Sequence, residues 1–302
     1  MGKVYNISIL LSFVGLWLTS MLSGDFEIIL GFILIFSFGI LHGSNDILLI
    51  DSISNKKKPN KYPFIKVLIT YLIIVLSAVI IFSLIPLFAV VLFVLFSAFH
   101  FGEQHWEHKG LDVPNKLINC FYFIYGLLVL QILFILNTSE VIEIVKSITG
   151  YALTYQLILY SSMSNLVAFV ILSIFIYYKS LKFRSVILIE LFHLLIFTII
   201  FKVSTLIWGF TIYFIFWHSI PSLYEQITYI YKDFNNVNML SYLKKAFPYW
   251  IISLIGIGIV YYVFREEKLF YAIFFSFLAA ITFPHALVMN KMFSNKKTQS
   301  TK

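Results

Sequence analysis

Long uninterrupted apolar stretches, each about as long as a membrane-crossing helix, constrain the fold of this chain more than any other feature. They continue without alternating polar residues, whereas the strands of a membrane barrel alternate with a period of two. The pattern predicts an all-α fold: a polytopic integral membrane helical bundle with about 8–10 transmembrane helices. The ten candidate stretches lie at roughly 5–22, 27–50, 66–85, 86–104, 117–136, 157–178, 185–201, 206–231, 248–264 and 268–290.

Composition supports a membrane protein and excludes several other classes. The chain has 302 residues, of which 60% are hydrophobic and only 12% charged, whereas soluble domains are about 25% charged. The single cysteine, Cys120, excludes an internal disulfide framework and a cysteine-rich metal site. The net charge of +8 is carried mainly by loops between the apolar stretches. Membrane topology therefore explains the charge, and no nucleic-acid partner is expected.

The distribution of lysine and arginine predicts the orientation in the membrane. With the N-terminus in the cytoplasm, 18 of the 22 basic residues fall on the cytoplasmic side. Such asymmetry is what the positive-inside rule requires. We predict a multi-pass protein of the cell's inner (cytoplasmic) membrane, N-in and C-in. Residues 1–292 are expected to form a single transmembrane domain, and residues 293–302 a polar cytoplasmic tail. The four basic residues on the other side are Lys146, Lys202, Arg265 and Lys268.

Four histidines lie inside apolar stretches, where an ionisable side chain is costly unless it faces the interior of the bundle. In the predicted topology they occupy the second, fourth, eighth and tenth stretches, at related depths. His218 is somewhat deeper than the others, so tilting or unwinding of its helix near Pro221 is expected. Neutral imidazoles from several helices can bind a first-row transition metal, although a lone membrane histidine can also simply hydrogen-bond to a neighbouring helix. We predict one intramembrane metal site formed by His42, His100, His218 and His285.

Polar residues follow these histidines within about one to two helical turns, as supporting partners of metal-bound imidazoles should. The other three histidines have simpler interpretations. His105 and His108 are expected to be solvated or to lie at the lipid interface, and His193 to pair locally with Glu190 three residues earlier. The predicted supporting residues are Asn45, Asp46, Glu103, Gln104, Glu225 and Gln226.

The segments LHGSND, FHFGEQH, WHSIPSL and FPHALV, which contain the four histidines, resemble a known family. It comprises the bacterial and archaeal bacteriorhodopsin-related proteins (Brp/Blh), which are membrane β-carotene 15,15′-dioxygenases. The order and spacing of the segments agree over nearly the whole chain. The resemblance implies a non-haem iron enzyme that cleaves β-carotene with O₂ at its central double bond, giving two molecules of all-trans-retinal.

The resemblance also implies the cofactor and its ligands. The family's iron, Fe(2+), is attributed to histidines that map onto His42, His100 and His218, which are therefore the expected catalytic residues. Some members carry a further histidine one turn later, where this chain has Ser222. We therefore expect His285 as the fourth ligand, with water or His105 as the alternatives.

Three other functions are alternatives to this enzyme. A histidine-bound di-iron oxygenase would need denser histidine clusters than this chain has. A transporter with a histidine relay would be expected to show inverted repeats and broken helices. A non-catalytic paralogue that binds a retinoid or carotenoid, or assists a rhodopsin, stays open because of Ser222. For the enzyme, the expected partners are β-carotene and O₂ as substrates and membrane lipid, with a functional link to a retinal-binding rhodopsin.

Overall fold

The computed structural model describes residues 2–55, 63–263 and 270–300. Every regular element in these ranges is a helix, so the all-α prediction is confirmed. Part of the predicted ninth and tenth stretches, between residues 264 and 269, lies outside the described residues. Seven basic residues lie outside the described ranges: Lys56, Lys57, Lys58, Lys61, Arg265, Lys268 and Lys302.

Fourteen α-helices and two short π-helical turns make up the described chain. The first half contains α1 Gly2–Met21, α2 Gly24–Leu34, a π turn Ile35–Gly39, α3 Ile40–Gly43, α4 Asp46–Asn55, α5 Pro63–Leu84, α6 Pro86–Glu107 and α7 Asn115–Leu136. The second half contains α8 Thr138–Thr149, α9 Tyr155–Lys179, α10 Leu181–Val203, α11 Leu206–Ile212, a π turn Tyr213–Ser219, α12 Ile220–Tyr231, α13 Asn236–Val263 and α14 Phe270–Ser300.

Seven helical segments of the described chain are long and apolar enough to cross a membrane. They match the predicted first, second and fourth to eighth stretches, which supports a polytopic helical bundle. The third predicted stretch corresponds to α5, and the ninth and tenth to α13 and α14. The number of spans beyond seven stays a prediction. The seven segments are Gly2–Met21, Gly24–Ile50, Pro86–Glu107, Asn115–Leu136, Tyr155–Lys179, Leu181–Val203 and Leu206–Tyr231.

The chain divides into two compact units. One contains residues up to 35 together with 94–146 and 150–221, and the other contains 36–93, 147–149 and the residues from 222 onwards. Each predicted site histidine belongs to one of them: His100 and His218 to the first unit, His42 and His285 to the second.

A close approach of α6 and α7 organises the first unit. A Cβ atom added to Gly102 would lie 1.8 Å from the carbonyl oxygen of Tyr122, and one added to Gly126 would lie 1.8 Å from that of Ala98. No side chain fits at either position without moving the backbone. Small residues at helix crossings in membranes allow this kind of backbone contact. The crossing fixes the part of α6 that carries His100.

The start of α11, in the same unit, is fixed by two acidic side chains. Glu27 accepts a hydrogen bond from the backbone N–H of Thr205 at 2.9 Å, and Glu140 accepts one from Leu206 at 3.2 Å. Carboxylates favour a helix N-terminus because its first N–H groups have no partners within the helix. They therefore stabilise the beginning of the helical segment that leads to His218.

In the second unit α14 packs against α3, α4 and α5. Small residues on α14, Ala279 and Ala280, pack with Ala78 of α5. Further along, Phe293 is buried in a cluster with Leu49 of α4. The helix continues to Ser300 and includes most of the predicted tail. The division of the chain at residue 292 stays a prediction.

Candidate metal centre

His42 and His285 form a buried pair in the second unit. His42 lies on α3, directly after the first π turn, and His285 lies on α14. Their rings meet edge to face, with centroids 4.8 Å apart and planes at 87°. They are only 4% and 3% exposed, so water hardly reaches either imidazole. Two buried imidazoles on separate helices are suited to act as nitrogen ligands of a metal ion.

A carboxylate supports this pair. Asp46 Oδ1 lies 2.8 Å from Nδ1 of His285, and both side chains are buried. A carboxylate that holds one ring nitrogen fixes the tautomer and presents the other nitrogen to a metal. Here that nitrogen is Nε2. The sequence suggested that Asp46 supports His42; the structure places it on His285. The helix is interrupted between Gly43 and Asp46, so the two residues no longer share one helical face.

Hydrogen bonds from distant residues hold the backbone of His42. Gln226 Nε2 donates to the His42 carbonyl at 3.0 Å and to Ser222 Oγ at 3.1 Å. The hydroxyl of Tyr242 donates to Gln226 Oε1 at 2.6 Å, and Asn45 Nδ2 donates to the carbonyl of Tyr242 at 2.9 Å. Ser222 therefore belongs to the support of His42. Sequence reasoning missed Tyr242, because nothing in its neighbourhood on α13 distinguishes it from an interfacial tyrosine.

His100 and His218 form a second pair, in the first unit. Their rings also meet edge to face, with centroids 4.8 Å apart. The ring of Phe214 stacks on His218 at 5.3 Å, and Phe101 lies 4.7 Å from it. Gln104 Nε2 donates to the carbonyl of His218 at 2.9 Å. Two phenylalanine rings therefore pack beside His218, and a hydrogen bond holds its backbone in place.

One histidine of each pair lies at or next to a π turn, which inserts an extra residue into a helix and often occurs at a functional site. His218 is inside the turn Tyr213–Ser219, and His42 follows the turn Ile35–Gly39. The turn around His218 ends two residues before Pro221, near which tilting or unwinding of the helix is predicted. The sequence contains no pattern that distinguishes a π turn from a continuous helix, so the first one was not expected.

The chemistry of the donors in each pair fits ferrous iron. Each unit contributes two buried imidazoles, and a carboxylate orients His285 in the second unit. Imidazole is a common ligand of iron in proteins, and its carboxylate partner makes it a better donor. Thiols, which would favour other metals, are absent from this set.

A second group of titratable side chains lies in the first unit, and it corrects one expectation. His105, predicted to be solvated or at the lipid interface, lies in the last turn of α6 and is 2% exposed. Its Nε2 lies 2.5 Å from Glu190 Oε2 on α10. The predicted pair of Glu190 and His193 is confirmed at 3.2 Å. α6 continues past its apolar stretch to Glu107, so His105 packs in the protein.

Two residues just after α6 complete this group. The ammonium of Lys109 pairs with Glu190 and lies 4.2 Å from the ring centre of Trp106. Burial lowers the pKa of Lys109 to about 8, although the Glu190 carboxylate opposes the shift. His108, expected to be solvated or at the lipid interface, is half-buried and stacks on Tyr5. Burial lowers its pKa to about 3, so this imidazole is neutral.

The fold and the two buried imidazole pairs place the chain in a class of proteins: helical membrane proteins with several histidines inside their apolar helices. Within it, the chain belongs to the beta-carotene 15,15′-dioxygenase family, whose sequence model matches residues 33–293. The match includes both histidine pairs and confirms the family resemblance seen in the four segments. No curated protein and no solved structure matches the chain.

Proposed function

We propose that the protein is a non-haem iron dioxygenase that cleaves β-carotene at its central 15,15′ double bond with O₂, giving two molecules of all-trans-retinal. The observation that carries this proposal is the presence of two buried imidazole pairs within the segments typical of the dioxygenase family. The alternative is a non-catalytic paralogue that binds a carotenoid or retinoid, which the serine at position 222 favours.

The proposed ligands of one Fe(2+) ion are His42, His100, His218 and His285. That the two pairs share a single ion is part of the proposal. Two observations favour His285 as the fourth ligand. Asp46 holds its Nδ1, which directs Nε2 to the metal, and Ser222 already accepts a hydrogen bond from Gln226. His105 is less suitable, because its ring lies in a different group of side chains, beside Glu190 and His193.

When bound by these histidines, ferrous iron would supply the oxygen chemistry. The protein's own side chains hold the ligands in position and keep water away from the site. Asp46 and Gln226 hold the ring of His285 and the backbone of His42 in place. Phe101 and Phe214 beside His218 exclude water and present an apolar surface to a polyene. β-Carotene dissolves in the hydrocarbon core, so we propose that it enters between helices from the bilayer.

The proposed setting is the inner membrane, N-in and C-in, with a retinal-binding rhodopsin as the consumer of the product. The proposed orientation rests on the distribution of basic residues. The proposed rhodopsin partner rests on retinal as the expected product.

The test is turnover by the purified chain in lipid nanodiscs. With Fe(2+), β-carotene and air we expect loss of the carotenoid absorption and formation of about two retinal molecules per β-carotene, with about one iron per chain. Chelation with removal of the metal should stop the reaction, and restored Fe(2+) should restart it. A protein that binds β-carotene, holds iron and yields no retinal would establish the non-catalytic alternative instead.

A further inference from the structure

We propose that His105, Glu190 and His193 bind a second divalent transition-metal ion, with Zn²⁺ as the reference ion. This site is separate from the four family histidines and does not depend on the proposed function.

The donors come from two facing helices in a pattern that suits a metal. Glu190 and His193 stand three residues apart on α10, so they share one face of the helix. His105 reaches them from α6. In helical bundles, a Glu-x-x-His pair facing further donors on a neighbouring helix is a recurrent way to build an internal metal site. Two imidazoles and one carboxylate are suitable ligands for a divalent first-row ion.

The grouping of the donor atoms and their burial favour such a site. Glu190 Oε2 lies 2.5 Å from His105 Nε2 and 3.2 Å from His193 Nδ1. One donor atom from each of the three residues falls within 4.8 Å of the others. Ligands of a tetrahedral zinc ion, at bonds of about 2.0–2.2 Å, lie about 3.3–3.6 Å apart. An ion would therefore replace the hydrogen bond between Glu190 and His105 and move these two atoms slightly apart. All three side chains are buried, with 2–4% exposure. The hydroxyl of Tyr125 lies 3.2 Å from His105 Nε2, close enough to serve as a neighbouring oxygen donor.

Lys109 is compatible with this ion because a carboxylate has two oxygens. Its ammonium pairs with Oε1 of Glu190, which leaves Oε2 directed at the two imidazoles. The rival interpretation is a metal-free network in which Lys109 balances the charge of Glu190. The two interpretations predict opposite effects of removing Lys109. Without a metal, the change isolates a buried carboxylate and destabilises the protein. With a metal, the change removes the Lys109 ammonium, a positive charge that competes with the metal ion for Glu190.

The experiment is a Co²⁺ titration of the full chain in nanodiscs after chelation of all metals, followed by visible absorption and by metal analysis. Wild-type protein should hold about one more Co²⁺ per chain than H193A or E190Q. H108A is the matched control, since it removes a neighbouring imidazole outside the donor set, and should keep the wild-type content. K109M should bind this Co²⁺ at least about tenfold more tightly, because a nearby positive charge is gone.

Three results would overturn the site. H193A with the wild-type cobalt content would exclude His193 as a ligand. An equal loss of cobalt from H108A would show that the effect is not specific to the donor set. K109M with a lower Tm and no gain in cobalt affinity would identify a metal-free ion pair. The H285A variant separates this site from the proposed iron site, since it should lose iron and retinal formation yet keep the cobalt equivalent that H193A loses.

Discussion

Each imidazole pair has its own polar support, and the most direct is the contact between Asp46 and His285. A buried carboxylate beside a ring nitrogen orients the ring and raises its basicity as a ligand. The contact involves two residues far apart in the sequence, so no local pattern predicts it. It therefore provides a sharp test of the role of His285.

Replacement of Asp46 by Asn should weaken iron binding by about 10–100-fold, the usual effect of losing a carboxylate behind a ligand histidine. The change keeps the size of the side chain and removes its charge. Equilibrium titration of the metal-free protein with Fe(2+) under nitrogen measures the affinity. Asp112→Asn is the control, since Asp112 lies in the loop after α6 and contacts Ser180. An unchanged iron affinity in D46N would remove the main support for His285 as a ligand.

Replacement of His42, His100 or His218 by Ala should abolish retinal formation in cells that accumulate β-carotene. Each change deletes one proposed iron ligand. Retinal is measured by chromatography of cell extracts, and the amount of protein in the membrane fraction by immunoblot. H108A, which changes a histidine outside the proposed set, should retain activity. Full activity in any of the three ligand variants would refute that assignment.

Ser222→Ala should be nearly silent in iron content and activity. The serine hydroxyl accepts one of the two hydrogen bonds that the Gln226 amide donates, and the bond to the His42 carbonyl remains. Loss of one such bond costs about 1 kcal/mol of stability. Iron analysis of the purified variant is the measurement. A severe loss of bound iron would show that position 222 holds the metal and that His285 does not.

Among the elements, the crossing of α6 and α7 sets the position of His100, and glycine is the only residue that fits there. Gly102→Ala should lower the free energy of unfolding by about 1–3 kcal/mol, because the added methyl meets the backbone of Tyr122. Gly256→Ala on α13 is the matched control, since a Cβ there meets nothing within 4 Å. Thermal unfolding in detergent measures both. Equal Tm values for the two variants would contradict the close crossing.

The sequence predicted the helices well and their interruptions poorly. Apolar stretches of membrane length locate the helices, and Pro86 correctly marks the boundary between α5 and α6. The π turns before His42 and around His218 were not predicted in this form, since a π turn needs no particular residue. The burial of His105 was also missed, because local hydropathy ends before α6 does.

The site histidines were predicted from their cost in a bilayer, which is a local property. Their partners were not, since these depend on which helices pack together. Gln226 was expected to support His218, its neighbour in sequence, yet it bonds the carbonyl of His42. The contact of His285 with Asp46 was missed for the same reason, because it depends on the packing of α14 against α4.

For the whole molecule, the charge distribution predicts which loops face the cytoplasm. In a chain with Cys120 replaced by Ser, a cysteine at Lys182 should react with a membrane-impermeant maleimide only after the cells are opened. A cysteine that replaces Lys146 should react in intact spheroplasts, which are cells whose outer envelope has been removed. Gel-shift detection of the label is the measurement. Reaction of the position-182 cysteine in intact cells would reverse the proposed orientation.

The contact between Asp46 and His285 spans 239 positions of the chain, and this has a consequence for biogenesis. Asp46 is synthesised and enters the membrane well before α14, which carries its imidazole partner. Until α14 arrives, Asp46 lacks this partner, and an unpaired polar group is costly in the hydrocarbon core. Assembly of the proposed metal centre therefore depends on the insertion of α14.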